Sequence, residues 1–129
     1  MSFSAVIAKF ESKAYQQAKQ ARDGVVVDIA GDLNKQAPVD TGRFRSNWNT
    51  GVESPDLNTS FRTINDAVQR AEMMVKYAPL ESTIHHTNNL DYALDLERGT
   101  SKQAPAGWVR TTVAKFRRMI EKRAKEANR

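Results

Sequence analysis

The sequence predicts an α+β fold, and three observations lead to that class. Apolar residues recur at helical spacing over three separate stretches, one stretch between them alternates with a period of two, and a shorter one is rich in β-branched residues. Two long helices should therefore flank a segment that holds a small antiparallel sheet and a middle helix. The strands are too few and too close together for βαβ repeats, which argues against the α/β class.

The first predicted element is a long helix. Its apolar stripe consists of Phe3, Ile7, Phe10, Ala14, Ala18, Ala21, Val25, Ile29 and Leu33. Gly24 and Gly31 each cost such a helix about 1 kcal/mol relative to alanine, so a bend near Gly24 is one expectation. Pro38 disfavours helical geometry at Ala37, which predicts that the helix ends there. Residues 38–42 have the composition of a turn.

The middle of the chain predicts two paired strands around a helix. In the first strand, residues 44–53, the face expected to be buried holds Phe44, Ser46, Trp48, Thr50 and Val52. The face expected to meet solvent holds Arg45, Asn47, Asn49 and Glu53. A helical stripe then predicts a helix around residues 59–74, with an N-cap among residues 58–60. Residues 83–87 should pair with the first strand, and Asn88 and Asn89 should form a turn.

The last third of the chain predicts a short helix, an irregular loop and a basic helix. Residues 90–98 should form the short helix, with Gly99 as its left-handed cap. The final helix should have an apolar stripe of Val109, Val113, Phe116, Ile120, Ala124 and Ala127. From Arg110 onward there are eight basic and two acidic residues, a net charge of +6, and since the whole chain carries +5, residues 1–109 carry −1.

The composition indicates one globular domain over residues 1–129. Of these residues 40% are apolar and 27% charged, and a chain of this length buries about two thirds of its unfolded surface around a single core. No stretch approaches the roughly 20 apolar residues of a membrane span, and the N-terminal residues lack the pattern of a secretory signal. We therefore expect no membrane partner. Because there is no cysteine, disulfide scaffolds, thiolate metal sites and cysteine nucleophiles are excluded.

Candidate catalytic and metal-binding patterns are weak. Asp40-Thr41-Gly42 matches the tripeptide of aspartic proteases, but that chemistry needs a second aspartate and an apolar strand around the loop, whereas basic residues follow here. A structural turn is the favoured interpretation. His85 and His86 are adjacent on a predicted strand and should point to opposite faces, so they cannot easily share one metal ion. We expect no cofactor and no catalytic residue.

The basic face of the last helix is a candidate surface for a partner protein or for DNA. It comprises Lys115, Arg117, Arg118, Lys122, Arg123 and Lys125. Such cations could neutralise phosphates and so add salt-sensitive affinity for nucleic acid. The face lacks the interleaved aromatic residues of a base-stacking surface, and a solvated helix face is the simpler interpretation.

Two motifs resemble a known family. They are Pro38-Val39-Asp40-Thr41-Gly42-Arg43 before a strand with Trp48, and Asn88-Asn89, Tyr92-Ala93 and Leu96-Glu97 before Gly99-Thr100-Ser101-Lys102-Gln103-Ala104-Pro105-Ala106-Gly107. In order and spacing they resemble the tail-completion and neck proteins that join head to tail in long-tailed phages, close to the lambdoid minor tail proteins. Two departures are Arg98 directly after the glutamate, and Trp108 at a position often held by methionine.

The resemblance implies a virion structural protein without catalytic activity, made in the host cytoplasm and located in the tail or neck. It also implies partners: further copies of the chain in a ring, commonly of six, the tail tube or tail terminator protein, and head connector proteins. Genome DNA would pass through the ring without specific binding.

The ring interface is expected at the two motifs, because a cyclic ring needs two unlike surfaces on each subunit. Its predicted residues are Asp40, Thr41, Gly42, Arg43, Glu97, Gly99, Thr100, Ser101, Lys102, Gln103, Ala104, Pro105 and Gly107. Residues 99–107 are polar and contain Pro105, which restricts the backbone. This composition is typical of an arm that contacts a neighbour. We also expect an Arg43–Glu97 ion pair between the turn and the short helix.

Overall fold

The computed structural model of the chain describes residues 2–36, 44, 47–59, 67–91, 93–98 and 107–128, and only the backbone of Gln36, Asp95 and Leu96. Along these residues the elements are α1 (Phe3–Gln36), β1 (Asn49–Val52), α2 (Ala67–Lys76), β2 (Ile84–Thr87), α3 (Ala93–Glu97), α4 (Trp108–Ala114) and α5 (Phe116–Ala127). The α+β class with a long N-terminal helix and a small antiparallel sheet is confirmed. No helix of the described residues is both long and apolar enough to cross a membrane.

α1 is one continuous helix of 34 residues, without a break at Gly24. The two glycines in it have different surroundings. A Cβ at Gly24 would lie 2.7 Å from Cδ of Arg123, whereas a Cβ at Gly31 would have nothing within 4 Å. Gly24 therefore makes room for an α5 side chain to cross α1. The helix runs to Gln36, and the predicted end at Ala37 lies outside the described residues.

The two strands pair antiparallel, as predicted. Asn49 lies opposite Thr87 and Val52 opposite Ile84. Gly51 is required in β1, because a Cβ there would collide with the backbone carbonyl oxygen of Ser54. The chain thus turns back tightly over its own strand just after β1.

The predicted strand over 44–53 is too long. Phe44 and Thr50 are buried as expected, but the face expected to meet solvent is partly buried as well. Phe44 has helical backbone geometry and Asn47 lies in a turn, so the period of two does not extend through this segment. Asn47 and Asn49, expected at the surface, have only 0% and 2% of their surface exposed. The amide of Asn49 donates to the carbonyl oxygens of Asp56 (3.2 Å) and Asn58 (2.7 Å), which satisfies it inside the protein.

The described part of α2 starts at Ala67, and Asn58 and Thr59 are non-helical. The predicted start of this helix, after an N-cap among residues 58–60, therefore stays a prediction. Residues 60–66, which include the predicted positions Phe61 and Ile64, lie outside the described residues. The apolar face of α2 is confirmed by the burial of Ala67, Ala71 and Val75.

Two apolar clusters share α1. The first consists of Leu33, Phe44, Leu90 and Trp108, and the second of Val26, Ala30, Ala71 and Val75. In the first, the rings of Phe44, Trp48 and Trp108 meet edge to face with centroids 5.8–6.1 Å apart. Such contacts add to the stabilisation from apolar burial. The core therefore forms along the second half of α1.

The C-terminal helix differs from the prediction in two respects. It consists of two helices that meet at Lys115, and its predicted apolar stripe is largely exposed, with 66% of Val113, 45% of Phe116 and 42% of Ile120 open to solvent. Two of the basic residues face α1 instead: Lys115, where α4 and α5 meet, pairs with Asp32, and Arg123 of α5 pairs with Asp28.

Candidate assembly surfaces

The fold brings several residues of the two family-like motifs to one surface cleft. Its lining includes Trp48, Asn88, Asn89, Leu90, Ala93, Leu94, Glu97 and Trp108. Asn88 organises one side, because its amide donates to the carbonyl oxygen of Phe44 at 2.8 Å and its own oxygen accepts from the N–H of Leu90 at 3.4 Å. The second contact is an Asx-turn, which agrees with the turn predicted at Asn88 and Asn89.

Glu97 forms the other side of this cleft and ties α3 to α4. Its carboxylate accepts from the backbone N–H of Val109 at 2.8 Å, and its carbonyl oxygen accepts from the N–H of Gly107 at 2.7 Å. A carboxylate near a helix N-terminus is favourable because the first N–H groups of a helix lack intrahelical acceptors. Glu97 thus joins the two ends of the 98–106 segment at its base.

Most of the predicted ring interface is not tested by these observations. Asp40, Thr41, Gly42, Arg43 and residues 99–106 lie outside the described residues, so the Arg43–Glu97 pair and the arm over 99–107 stay predictions. Gly107 is described: it is buried and has a φ of 79°, a left-handed conformation that favours glycine.

The predicted basic face is divided by the fold. Nζ of Lys115 lies 3.1 Å from Oδ1 of Asp32, and Nη2 of Arg123 lies 2.7 Å from Oδ1 of Asp28. The hydrogen bond from Arg123 is the main reason that the pKa of Asp28 is lowered. Arg117, Arg118, Lys122 and Lys125 are exposed. The spacing of Asp28 and Asp32, one helical turn apart on α1, is the sequence signal that could have indicated this docking.

An apolar groove runs between α1, β2 and α5, and we call it the α1–α5 groove. It is lined by Ala18, Ala21, Arg22, Val25, Val26, Ile29, Ser82, Ile84, His86, Phe116 and Ile120, and its volume is about 480 Å³. A second depression of about 270 Å³ continues it toward Val109 and Val113, and shares Ile29, His86 and Phe116 with it. The predictions missed this groove, because they placed the apolar stripe of the last helix in the core.

His86 lies in the wall of this groove. Burial lowers its pKa to about 4, so the imidazole is neutral at neutral pH. Its Nδ1 is 3.4 Å from Oγ1 of Thr50 on the paired strand. Within the described part of the chain, no group of three or more His, Cys, Asp or Glu side chains is placed to hold a metal ion.

The N-terminal part of α1 projects beyond the folded body. Residues 2–14 are all exposed, including Phe3 (79%) and Phe10 (70%), and we call residues 3–14 the N-terminal arm. Packing begins at Tyr15, whose hydroxyl accepts from the N–H of Leu80 at 3.0 Å. Lys19 then donates to the carbonyl oxygens of Val75 and Lys76, which fixes α1 to the end of α2.

Comparison of the chain with protein-family models, with curated proteins and with solved structures finds no match.

Proposed function

We propose that this protein is a non-enzymatic structural component of a phage virion, which completes the tail and joins the tail tube to the head connector as a ring of identical subunits. The two family-like motifs suggest the role. The cleft formed by Trp48, Asn88, Glu97 and Trp108 supports it, because residues from separate parts of the motifs share one surface.

The observation that carries the proposal is the apolar surface that a single subunit leaves open. The N-terminal arm and the α1–α5 groove are unlike in shape, one convex and one concave, and they belong to different parts of the subunit. Exposed apolar surface of this extent is typical of protein contacts. A cyclic ring needs two unlike contact surfaces on every subunit, and the arm and the groove are our candidates for them.

The proposed partners follow from the same role. Copies of the chain form the ring, with the tail tube or tail terminator protein on one side and head connector proteins on the other. The exposed cations of α5, including Arg118, Lys122 and Lys125, then face a partner protein, since a strongly basic lumen would retain DNA that has to slide through.

The decisive test is electron microscopy of particles assembled without this protein. We expect DNA-filled heads and separate tails of normal length, and we expect a plasmid-borne copy of the gene to restore joined, infectious particles. Normal joined virions in the absence of the protein would overturn the proposal.

A second test concerns the predicted arm at residues 99–107. Deletion of residues 100–104 should abolish ring formation in size-exclusion chromatography, while the thermal unfolding of the subunit changes little because Glu97 and Gly107 remain to close the base of the loop. Rings of unchanged size in the deletion variant would show that this segment is not needed for assembly.

The alternative function is that of a nucleic-acid-binding accessory protein. The exposed cations of α5, Arg117, Arg118, Lys122 and Lys125, favour it. In that case a gel-shift assay should show DNA binding that weakens steeply with salt and weakens further when these cations are replaced by glutamine. For the protease interpretation, peptide hydrolysis that disappears in Asp40→Asn would be required.

A further inference from the structure

We propose that the N-terminal arm of one subunit lies in the α1–α5 groove of a neighbouring copy. This inference rests on the proposed function for the identity of the neighbour, which is the next subunit of the ring. It names the two surfaces that make the contact, and both are different from the two family-like motifs.

The arm has the shape of a helical ligand for a groove. Phe3, Ile7, Phe10 and Ala14 follow one another at intervals of four, three and four, so their side chains share one face of the helix. At about 1.5 Å per residue this face is roughly 16 Å long. An isolated helix of this length is marginal in water, and docking in a groove would supply the burial that its own subunit does not.

The groove is suited to such a helix in chemistry and in length. Its walls are mainly apolar, with Ile29 on α1, Ile84 on β2 and Phe116 on α5. The two joined depressions extend along α1 from Ala18 to Leu33, a distance of about 22 Å. His86 adds no charge to the wall, because burial keeps its imidazole neutral.

The arm cannot occupy the groove of its own subunit. Arm and groove wall are parts of one unbroken helix, so the arm projects away from the groove along the same axis. An N-terminal arm that fills this groove must therefore come from another molecule, and a second copy brings an arm of matching length and apolar character. Phe3 and Phe10, which are 79% and 70% exposed, would each bury roughly 150 Å² there, a substantial part of the roughly 800 Å² that each partner contributes to a standard interface.

The absence of cysteine from the chain allows a clean cross-linking test. Ala14→Cys in the arm and Ala21→Cys in the groove wall change little bulk. They cannot react within one chain, because seven helical residues separate them by about 10 Å, and a disulfide requires Cα atoms within about 7 Å. Two chains that carry one cysteine each, and tags of different size, are mixed and mildly oxidised.

We expect the mixed pair to form a covalent heterodimer at least about tenfold faster than matched controls, since only close Cα atoms can be bridged. The controls are Ser12→Cys on the opposite face of the arm and Gln20→Cys beside Ala21, both at exposed positions of α1. Equal rates for controls and test pair would overturn the arm contact, and so would a chain that is monomeric throughout. Phe10→Asp, at an exposed site, should shift the assembly to monomers without lowering the unfolding temperature of the subunit.

A chain that carries both cysteines separates this inference from the proposed function. Covalent oligomers that end in a closed species of more than two chains support both. If the series ends at a covalent dimer, the arm contact holds and the ring is overturned. If sizing shows rings but arm and groove do not cross-link, the ring stands and the arm contact is overturned.

Discussion

The two halves of α1 share a helical spacing of apolar residues but have different surroundings. In both halves apolar residues recur at helical spacing, yet residues 2–14 are all exposed, whereas the half from Tyr15 onward packs on α2, α4 and α5. Ile7 in the first half is 40% exposed and Leu33 in the second half is 4% exposed. An apolar stripe therefore shows that a helix has a face to bury, but it does not show which molecule buries it.

The packed half is also the half that attracts polar partners. Lys19 and Arg22 donate to carbonyl oxygens at the end of α2 and in the turn after it, and Asp28 and Asp32 pair with cations of α4–α5. The described charged side chains of the arm, at Lys9, Glu11 and Lys13, are all exposed. Stability of the subunit should therefore depend on the second half, and assembly on the first.

The largest expected effect comes from truncating the same number of carbons in each half. Leu33→Ala should lower the free energy of unfolding by about 2–5 kcal/mol, because it leaves a cavity beside Phe44 and Trp108. Ile7→Ala also removes three carbons, but at an exposed site, so its effect on the isolated subunit should stay within about 0.5 kcal/mol. Urea unfolding of dilute protein measures both, and similar losses would contradict the division of α1.

The second-largest expected effect is a loss of stability of the packed half of α1 and its neighbours at acidic pH. The pKa of His86 is lowered from 6.5 to about 4 in the folded protein. Above pH 6.5 the imidazole is neutral in both states, but between pH 6.5 and 4 the unfolded chain binds a proton that the folded protein does not. The free energy of unfolding should fall over this window by up to about 3 kcal/mol. In the His86→Gln variant the free energy of unfolding should not show this part of its fall between pH 6.5 and 4. An equal dependence on pH in the variant and the natural protein would contradict the role of His86.

A smaller effect is expected from the Asp28–Arg123 pair. A double-mutant cycle of Asp28→Asn and Arg123→Gln should give a coupling energy of about 1 kcal/mol, since the pair is bidentate and partly buried. The Arg117–Glu121 pair on the exposed side of α5 is the matched control and should show no measurable coupling. Equal coupling in the two cycles would mean that the contact with α1 adds nothing.

The smallest effect separates the two glycines of the packed half. Gly31→Ala should stabilise the protein by about 0.5–1 kcal/mol, because alanine favours the helix and its Cβ meets no atom within 4 Å. Gly24→Ala should stabilise it less or destabilise it, because its Cβ displaces Arg123 from Asp28. Thermal unfolding of the two variants compares their stabilities directly. An equal gain in unfolding temperature would indicate that Arg123 moves away from Asp28 without destabilising the protein.

Local patterns predicted the elements better than their faces. The long helix, the pairing of residues 83–87 with the first strand and the turn at Asn88 follow from periodicity and turn composition, which act over a few residues. The burial of Asn47 and Asn49 could not be predicted in this way, because it depends on carbonyl groups of a loop that folds back over β1. The candidate cleft could be anticipated from its motifs, whereas the α1–α5 groove could not.

The sequence by itself determined that α1 is long and apolar along one side, and that the last helix has an apolar and a basic side. That α1 continues unbroken through Gly24 was decided by the structure. Only the tertiary structure decided which side of that last helix faces α1. There Asp28 and Asp32 pair with Arg123 and Lys115, and Phe116 and Ile120 stay 45% and 42% exposed. The physical reason is that apolar residues at helical spacing show that one face of a helix can be buried, but not against which surface. Ion pairs between residues that are distant in sequence help to determine which faces of two helices meet.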